Sequence, residues 1–196
     1  MGPGPVQSHV DHARAFDAVG RDLEPEPDAR PALDLGTGAG IPGLVLALEE
    51  QGRHWTLLDG RERSVAFVRE AVEELGLDER VSVVLERAEE LGRDPRHRGR
   101  YGLVVARGFG PPSVTAECAA PLLEEGGWLL VSEPPASTGE RWPAEPLEML
   151  GMRWIRVVTT PPATVAVLEQ VRVAPDRFPR RTGLPAKRPL FDNPRR

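Results

Sequence analysis

The stretch Leu33-Asp-Leu-Gly-Thr-Gly-Ala-Gly-Ile-Pro-Gly43 decides how the rest of the chain is read. Ala32 to Leu35 is a short apolar run of the kind a buried strand carries, and it ends in a loop with glycine at Gly36, Gly38 and Gly40. Ile41 to Glu50 then predicts a helix, with Pro42 in its first turn, where a missing N–H is tolerated. Glycine lets backbone come close to a ligand, and the start of a helix presents N–H groups to it. Strand, glycine loop and helix together are the opening unit of a nucleotide-binding α/β sheet.

Working outward, Ser8 to Asp22 predicts a helix with Val10, Ala13, Phe16 and Val19 as its apolar positions, and Glu24-Pro-Glu-Pro27 interrupts the chain. Downstream, strands and helices alternate. Strands are expected over 55–58 (ending at Asp59), 81–85, 102–106 and 128–132; helices over 62–75 and 113–123, with one turn at 88–91. Gly76 stops the helix over 62–75, and Glu125-Gly-Gly127 reads as a turn before the fifth strand. A helix around Pro146 to Leu150 leads into two β-rich runs, 154–159 and 164–173, which flank Thr160-Pro-Pro-Ala163 as an antiparallel hairpin. Five βα units argue for parallel strands with right-handed crossovers. The fold class expected is therefore α/β: a Rossmann-like, doubly wound, mostly parallel sheet closed by an antiparallel C-terminal hairpin, the layout of class I methyltransferases. The chain divides into an N-terminal helical segment (1–27), a cofactor-binding domain (28–173) and a basic C-terminal tail (174–196).

The glycine loop alone does not choose its ligand. Gly38-Ala-Gly-Ile-Pro-Gly43 fits the dinucleotide pattern as written, but that pattern's first glycine should follow the strand at once, and Gly38 comes three residues after Leu35. Asp34 is the second discriminator. A carboxylate at the strand's end suits the cationic ammonium of S-adenosylmethionine and would repel a pyrophosphate. Asp59, ending the next strand, suits a ribose diol in either cofactor class. S-adenosylmethionine is the cofactor these residues favour.

Composition bounds the rest. The 196 residues suit one domain, and Cys118, the only cysteine, excludes internal disulfides. No uncharged apolar stretch approaches the roughly 18 residues of a membrane span. The first residues show no basic region followed by an apolar run, so no signal peptide is read. A cytoplasmic, monomeric protein without metal or membrane attachment is expected. Charge is uneven: the chain carries −5 in all, yet Ala174 to Arg196 holds seven basic residues against two acids. Such a tail either meets an anion such as RNA or is a solvated extension. Twenty-four of the 25 basic residues are arginine, Lys187 being the one lysine, and arginine suits phosphate binding and base stacking.

The chain resembles the RsmG (GidB) family of bacterial 16S rRNA guanine-N7 methyltransferases from about His9 to Leu190. The resemblance is carried by the loop Leu33 to Leu44, by Leu57-Leu-Asp59 with Arg63-Ser-Val-Ala-Phe-Val-Arg69, and by Glu86-Arg-Ala-Glu-Glu-Leu91. Val104-Val-Ala-Arg107, Pro121-Leu-Leu-Glu-Glu-Gly-Gly127 and the basic closing motif Phe178-Pro-Arg-Arg-Thr-Gly-Leu-Pro-Ala-Lys-Arg-Pro-Leu190 extend it. It implies cofactor contacts at Gly36, Ile41, Ala88, Glu89 and Arg107, added to Asp34, Gly38, Gly40 and Asp59. It also implies 16S rRNA or the small ribosomal subunit as partner, with Arg177, Arg180, Arg181, Lys187 and Arg188 as candidate RNA contacts.

The chain departs from the family in four places. Its N-terminal helical region is shorter, His12 stands where a serine is usual, Gly108-Phe109 replaces a run of small residues, and Glu133-Pro-Pro135 replaces a lysine and glycine. The carboxylate at Glu133 keeps open a class I methyltransferase acting on another RNA or a small molecule, or a non-catalytic relative that binds the cofactor. Guanine N7 is nucleophilic at neutral pH, so no catalytic base is expected and rate comes from proximity and orientation. His9 and His12 lack the further ligands a metal site needs. His54 and His97 read as surface residues and Cys118 as packing. The tryptophans read as core, with Trp142, between Arg141 and Pro143, as the one open to an exposed RNA-stacking role.

Overall fold

The computed structural model describes residues 5–23, 30–50 and 52–191. The interruption read at Glu24-Pro-Glu-Pro27 and the basic pair Arg195 and Arg196 lie outside these. Among the described residues fourteen elements follow one another: α1 (Val6–Leu23), β1 (Ala32–Leu35), α2 (Gly43–Glu49), β2 (Trp55–Asp59), α3 (Glu62–Glu74), β3 (Val81–Leu85), α4 (Ala88–Leu91), β4 (Tyr101–Ala106), α5 (Pro112–Ala119), β5 (Leu123–Glu133), α6 (Ala144–Met149), β6 (Met152–Thr160), β7 (Ala163–Gln170) and α7 (Leu184–Lys187). Seven strands form one sheet in the order β3-β2-β1-β4-β5-β7-β6. The first five are parallel, and β7 runs antiparallel to both β5 and β6. This is the Rossmann-like class I arrangement, with its switch in strand order between β1 and β4.

The pleat explains the layering. Leu33, Leu35, Val104, Ala106, Leu129 and Val131 bury into one layer with Ala116 and Ala119 of α5 and with Leu147 of α6. Their alternates Ala32, Leu103, Val105 and Leu130 bury into the other layer, against Phe16 of α1, Leu44 of α2 and Val68 of α3. Successive side chains of a strand face opposite sides, so a parallel sheet covered on both faces needs apolar residues at every position. Asp34 is the exception inside β1.

Three expectations are corrected. Glu125-Gly-Gly127 does not separate two elements: it lies inside β5, where the register passes from Tyr101↔Leu123 to Leu103↔Trp128. Gly126 sits at φ +78°, so the extra residues loop out as a bulge without ending the strand. The helix expected to reach residue 123 ends at Ala119. Trp142 is buried in the α5/α6 layer and offers no face to RNA. No described helix is long and apolar enough to cross a membrane.

Candidate active site

β1, β2, β4 and β5 bring polar residues to the same edge of the sheet, where the strand order reverses: Asp34 next to last in β1, Asp59 and Glu133 last in β2 and β5, and Arg107 just after β4. Ligands of open α/β sheets bind at such a switch point.

Asp34 is 1% exposed. Its Oδ2 accepts hydrogen bonds from Thr37 Oγ1 (2.7 Å) and from the Gly43 backbone N–H (2.9 Å), so the carboxylate ties both ends of the glycine loop together. Its Oδ1 is buried and has no hydrogen-bond partner among the described residues. Burial pushes the carboxyl up to about 6, against the opposing pull of the Thr37 and Gly43 hydrogen bonds. Gly36, Gly38 and Gly40 all take positive φ (74°, 60° and 86°), which L side chains rarely adopt. The helix expected from Ile41 begins at Gly43, with Pro42 as its cap. A Cβ on Gly43 would lie 2.4 Å from Leu57 Cδ2 and 2.7 Å from Asp34 Oδ2. Gly43→Ala is therefore expected to lose about 1–3 kcal/mol of stability by overpacking, read as a lower urea midpoint at unchanged slope.

Asp59 is buried too, and every oxygen is used. Gly38 N–H donates to Oδ2 (2.9 Å), Arg61 N–H to Oδ1 (2.9 Å), and the Arg61 guanidinium to both oxygens (3.1 Å each). Burial works upward on this carboxyl, but the Arg61 and Gly38 hydrogen bonds outweigh it and hold it below the usual range. The Arg61 side chain is 72% exposed, so it can swing into water when a ligand takes the carboxylate.

Two clefts open at this edge. The first, about 350 Å³, is lined by Gly36, Asp59, Arg61, Ala88, Glu89 and Phe109, among others. The second, about 710 Å³, is lined by His12, Arg107, Phe109, Ser132, Glu133 and Arg141, among others. Gly108, Phe109 and Gly110 belong to both and form their common wall. Phe109 packs over the loop so closely that a Cβ on Gly36 would lie 2.5 Å from its ring.

The expected cofactor residues thus divide. Gly36, Asp59, Ala88 and Glu89 line the first cleft; Arg107 lines the second; Asp34, Gly38, Gly40 and Ile41 build the loop without lining either. Arg107 Nη2 donates to His9 Nδ1 (2.6 Å), and its guanidinium pKa is lowered by burial, with the nearby Asp34 charge opposing. His12 Nε2 meets Ser132 Oγ at 3.2 Å, and burial, with the Arg107 charge adding to it, lowers the imidazole to about 4, so it stays neutral. Glu133, the residue that argued against RNA, is not a free carboxylate: Oε1 accepts from Arg141 Nη1 (3.0 Å) and Oε2 from Ser137 Oγ (2.6 Å). Sequence reading missed Thr37, Gly43, Arg61, Phe109 and Arg141 as parts of the site.

Of the candidate RNA contacts, Arg177, Arg181, Lys187 and Arg188 are exposed. Arg180 is committed to Glu117. His54 is exposed and His97 half-buried beside Tyr101, while Cys118 is buried, which raises its thiol pKa.

Residues 19–137 match the GidB family model, described as rRNA small subunit methyltransferase G. The ribosomal RNA small subunit methyltransferase G of Deinococcus deserti is 41% identical over 170 residues, covering 81% of this chain and 68% of that protein. The Deinococcus radiodurans protein of the same name is also 41% identical over 170 residues, covering 81% of this chain and 65% of its own length. The chain thus spans about two thirds of the length of these curated relatives. In fold, a crystal structure of an S-adenosylmethionine-dependent methyltransferase from Aquifex aeolicus superposes with TM-score 0.58 at 20% identity, covering 78% of this chain and 87% of that one.

Proposed function

The chain belongs to the GidB family, rRNA small subunit methyltransferase G, and from that premise we propose that it transfers a methyl group from S-adenosylmethionine to N7 of a guanine in 16S rRNA. The observation that carries the reading is the common wall of the two clefts. Group transfer requires two ligands to meet, and the Gly108–Gly110 wall is where ligands of the two clefts would do so.

The residues present fit the cofactor. Asp34 Oδ1 is a buried carboxylate oxygen with no hydrogen-bond partner among the described residues, and the cofactor's ammonium would satisfy such an atom where a phosphate cannot. Asp59 would take the ribose hydroxyls in place of Arg61, and Ala88 with Glu89 would flank the adenine edge. Gly36 and Ile41 would lie against the methionine half. The bound cofactor supplies an electrophilic methyl carbon on a sulfonium.

The chain's own work is binding and orientation. N7 of guanine carries a lone pair and no proton, so no side chain has to remove one. The Phe109 ring offers a flat apolar face on which an extruded base can stack. Arg107, held by His9, presents cationic N–H groups to the second cleft, suited to a phosphate or to the purine O6. Glu133 and Arg141 neutralise each other along the cleft's far side, which leaves it open to an anionic strand.

Methyl transfer from labelled cofactor to 16S rRNA and to small subunits, followed by nucleoside digestion, tests the proposal. Label is expected in 7-methylguanosine. Label in any other nucleoside, or none in either substrate, overturns it.

A further inference from the structure

The segment after β7 does not trail away from the body. Phe178 is buried in the core layer that holds α5. Arg98 donates to the carbonyl oxygens of Phe178 and Ala174, each at 2.8 Å. Arg180 gives three hydrogen bonds to Glu117, a fully buried residue of α5: 2.9 Å from its backbone N–H, 2.7 Å from Nε and 2.6 Å from Nη2. Farther on, the Gly183 N–H donates to Glu89 Oε1 at 2.9 Å, and Thr182 Oγ1 donates to Glu90. Ala186 then lines the first cleft beside Ala88 and Glu89.

We infer that residues 178–187 are a fixed wall of the cofactor cleft and set cofactor affinity, a role separate from any grip on RNA. The inference rests on the reading that this cleft takes S-adenosylmethionine. Glu89 is the positioning residue. It lines the cleft, and its side chain, only 5% exposed, holds the strap by one charge-assisted hydrogen bond. A buried carboxylate on α5 gives both its oxygens to this segment and a second, on α4, gives Oε1, an arrangement a mere RNA-binding extension does not need. Arg181, Lys187 and Arg188 stay on the outer side, exposed.

Calorimetric titration of S-adenosylmethionine into the full chain tests the wall, with unfolding midpoints measured alongside. Glu89→Ala is expected to raise Kd about tenfold. Glu89→Gln keeps an oxygen acceptor for the Gly183 N–H while losing the charge, and is expected to raise Kd clearly less than Glu89→Ala does. Ala186→Trp, an exposed position whose change leaves the core untouched, is expected to weaken binding by at least about tenfold as the indole enters the cleft. The triple variant Arg181→Gln, Lys187→Gln, Arg188→Gln is expected to keep the cofactor Kd while lowering the salt slope of rRNA binding by roughly 0.9 per lost phosphate contact. Equal Kd for Glu89→Ala and Glu89→Gln, or parent affinity in Ala186→Trp, overturns the wall. A parent chain that binds no S-adenosylmethionine instead overturns the cofactor reading itself.

Discussion

Asp34→Asn is expected to bind S-adenosylmethionine about 100-fold more weakly than the parent while remaining folded. Asparagine keeps an oxygen for Thr37 and Gly43, which together fasten the glycine loop to β1. What it removes is the negative charge opposite a cationic ligand, and a hydrogen bond to a charged partner is worth about 1.5–3 kcal/mol. The parent should also show a pH signature that the variant lacks. Burial lifts the Asp34 carboxyl to about 6, well above an unfolded carboxylate. Between those two values the folded chain holds a proton that the unfolded chain has lost, so this group's contribution to stability falls as pH rises from about 4 to 6 and is level above. Cofactor affinity runs the other way: the ammonium needs the ionised form, so affinity should drop about tenfold per pH unit below 6. Calorimetry between pH 5 and 8 on both proteins decides the matter. A parallel loss of affinity in Asp34→Asn, or a flat profile in the parent, would rule out Asp34 as the counter-ion.

Arg141→Ala should produce the largest loss of stability among the site variants. The Glu133 side chain is 1% exposed and Arg141 16%, so removing the arginine strands a carboxylate away from water. Breaking one side of such a pair costs about 3–5 kcal/mol, and the surviving Ser137 hydrogen bond places the expected value near 3. The same stranded charge lines the second cleft and repels RNA phosphate, so kcat/KM with rRNA should fall well beyond the stability effect. Removing both partners, Glu133→Ala with Arg141→Ala, should recover most of the folding loss, because no charge is left unpaired. Urea denaturation of the two singles and the double measures the coupling. Additive losses would show that the pair does not act as a unit.

Much of this architecture is written locally. β1, β2 and β4 are buried at every position and mostly apolar because both faces of the sheet are covered, and Gly36, Gly38 and Gly40 stand where the loop needs positive φ. Asp34 and Asp59 are visible because a carboxylate near the end of a buried, otherwise apolar strand stands out from its neighbours. What escaped was written at long range. Arg180 meets Glu117 across 63 positions and Gly183 meets Glu89 across 94, and no periodicity links such partners. Summing the tail's charge concealed that one of its arginines is spent inside the protein. Glu133 misled at shorter range: its type was legible, but its partner Arg141, eight residues on in the loop after β5, sits at a spacing that no regular element implies. Trp142, flanked by Arg141 and Pro143, is open to exposure on sequence alone because its burial depends on joining the layer that holds α5 and Leu147 of α6, which its neighbours in sequence do not show.

The sheet order has a kinetic corollary. Leu33 of β1 pairs with Val104 of β4, about seventy residues later, while its other neighbour, β2, follows within about twenty. The nascent chain must therefore carry β1 with one apolar, hydrogen-bond-hungry edge open until β4 arrives to cover it. Long-range parallel pairing of this kind is slow to nucleate and prone to sticking meanwhile. Chaperone demand and inclusion-body formation should accordingly track events that delay β4, such as a translational pause between residues 60 and 100, more closely than any loss of contacts in the finished protein.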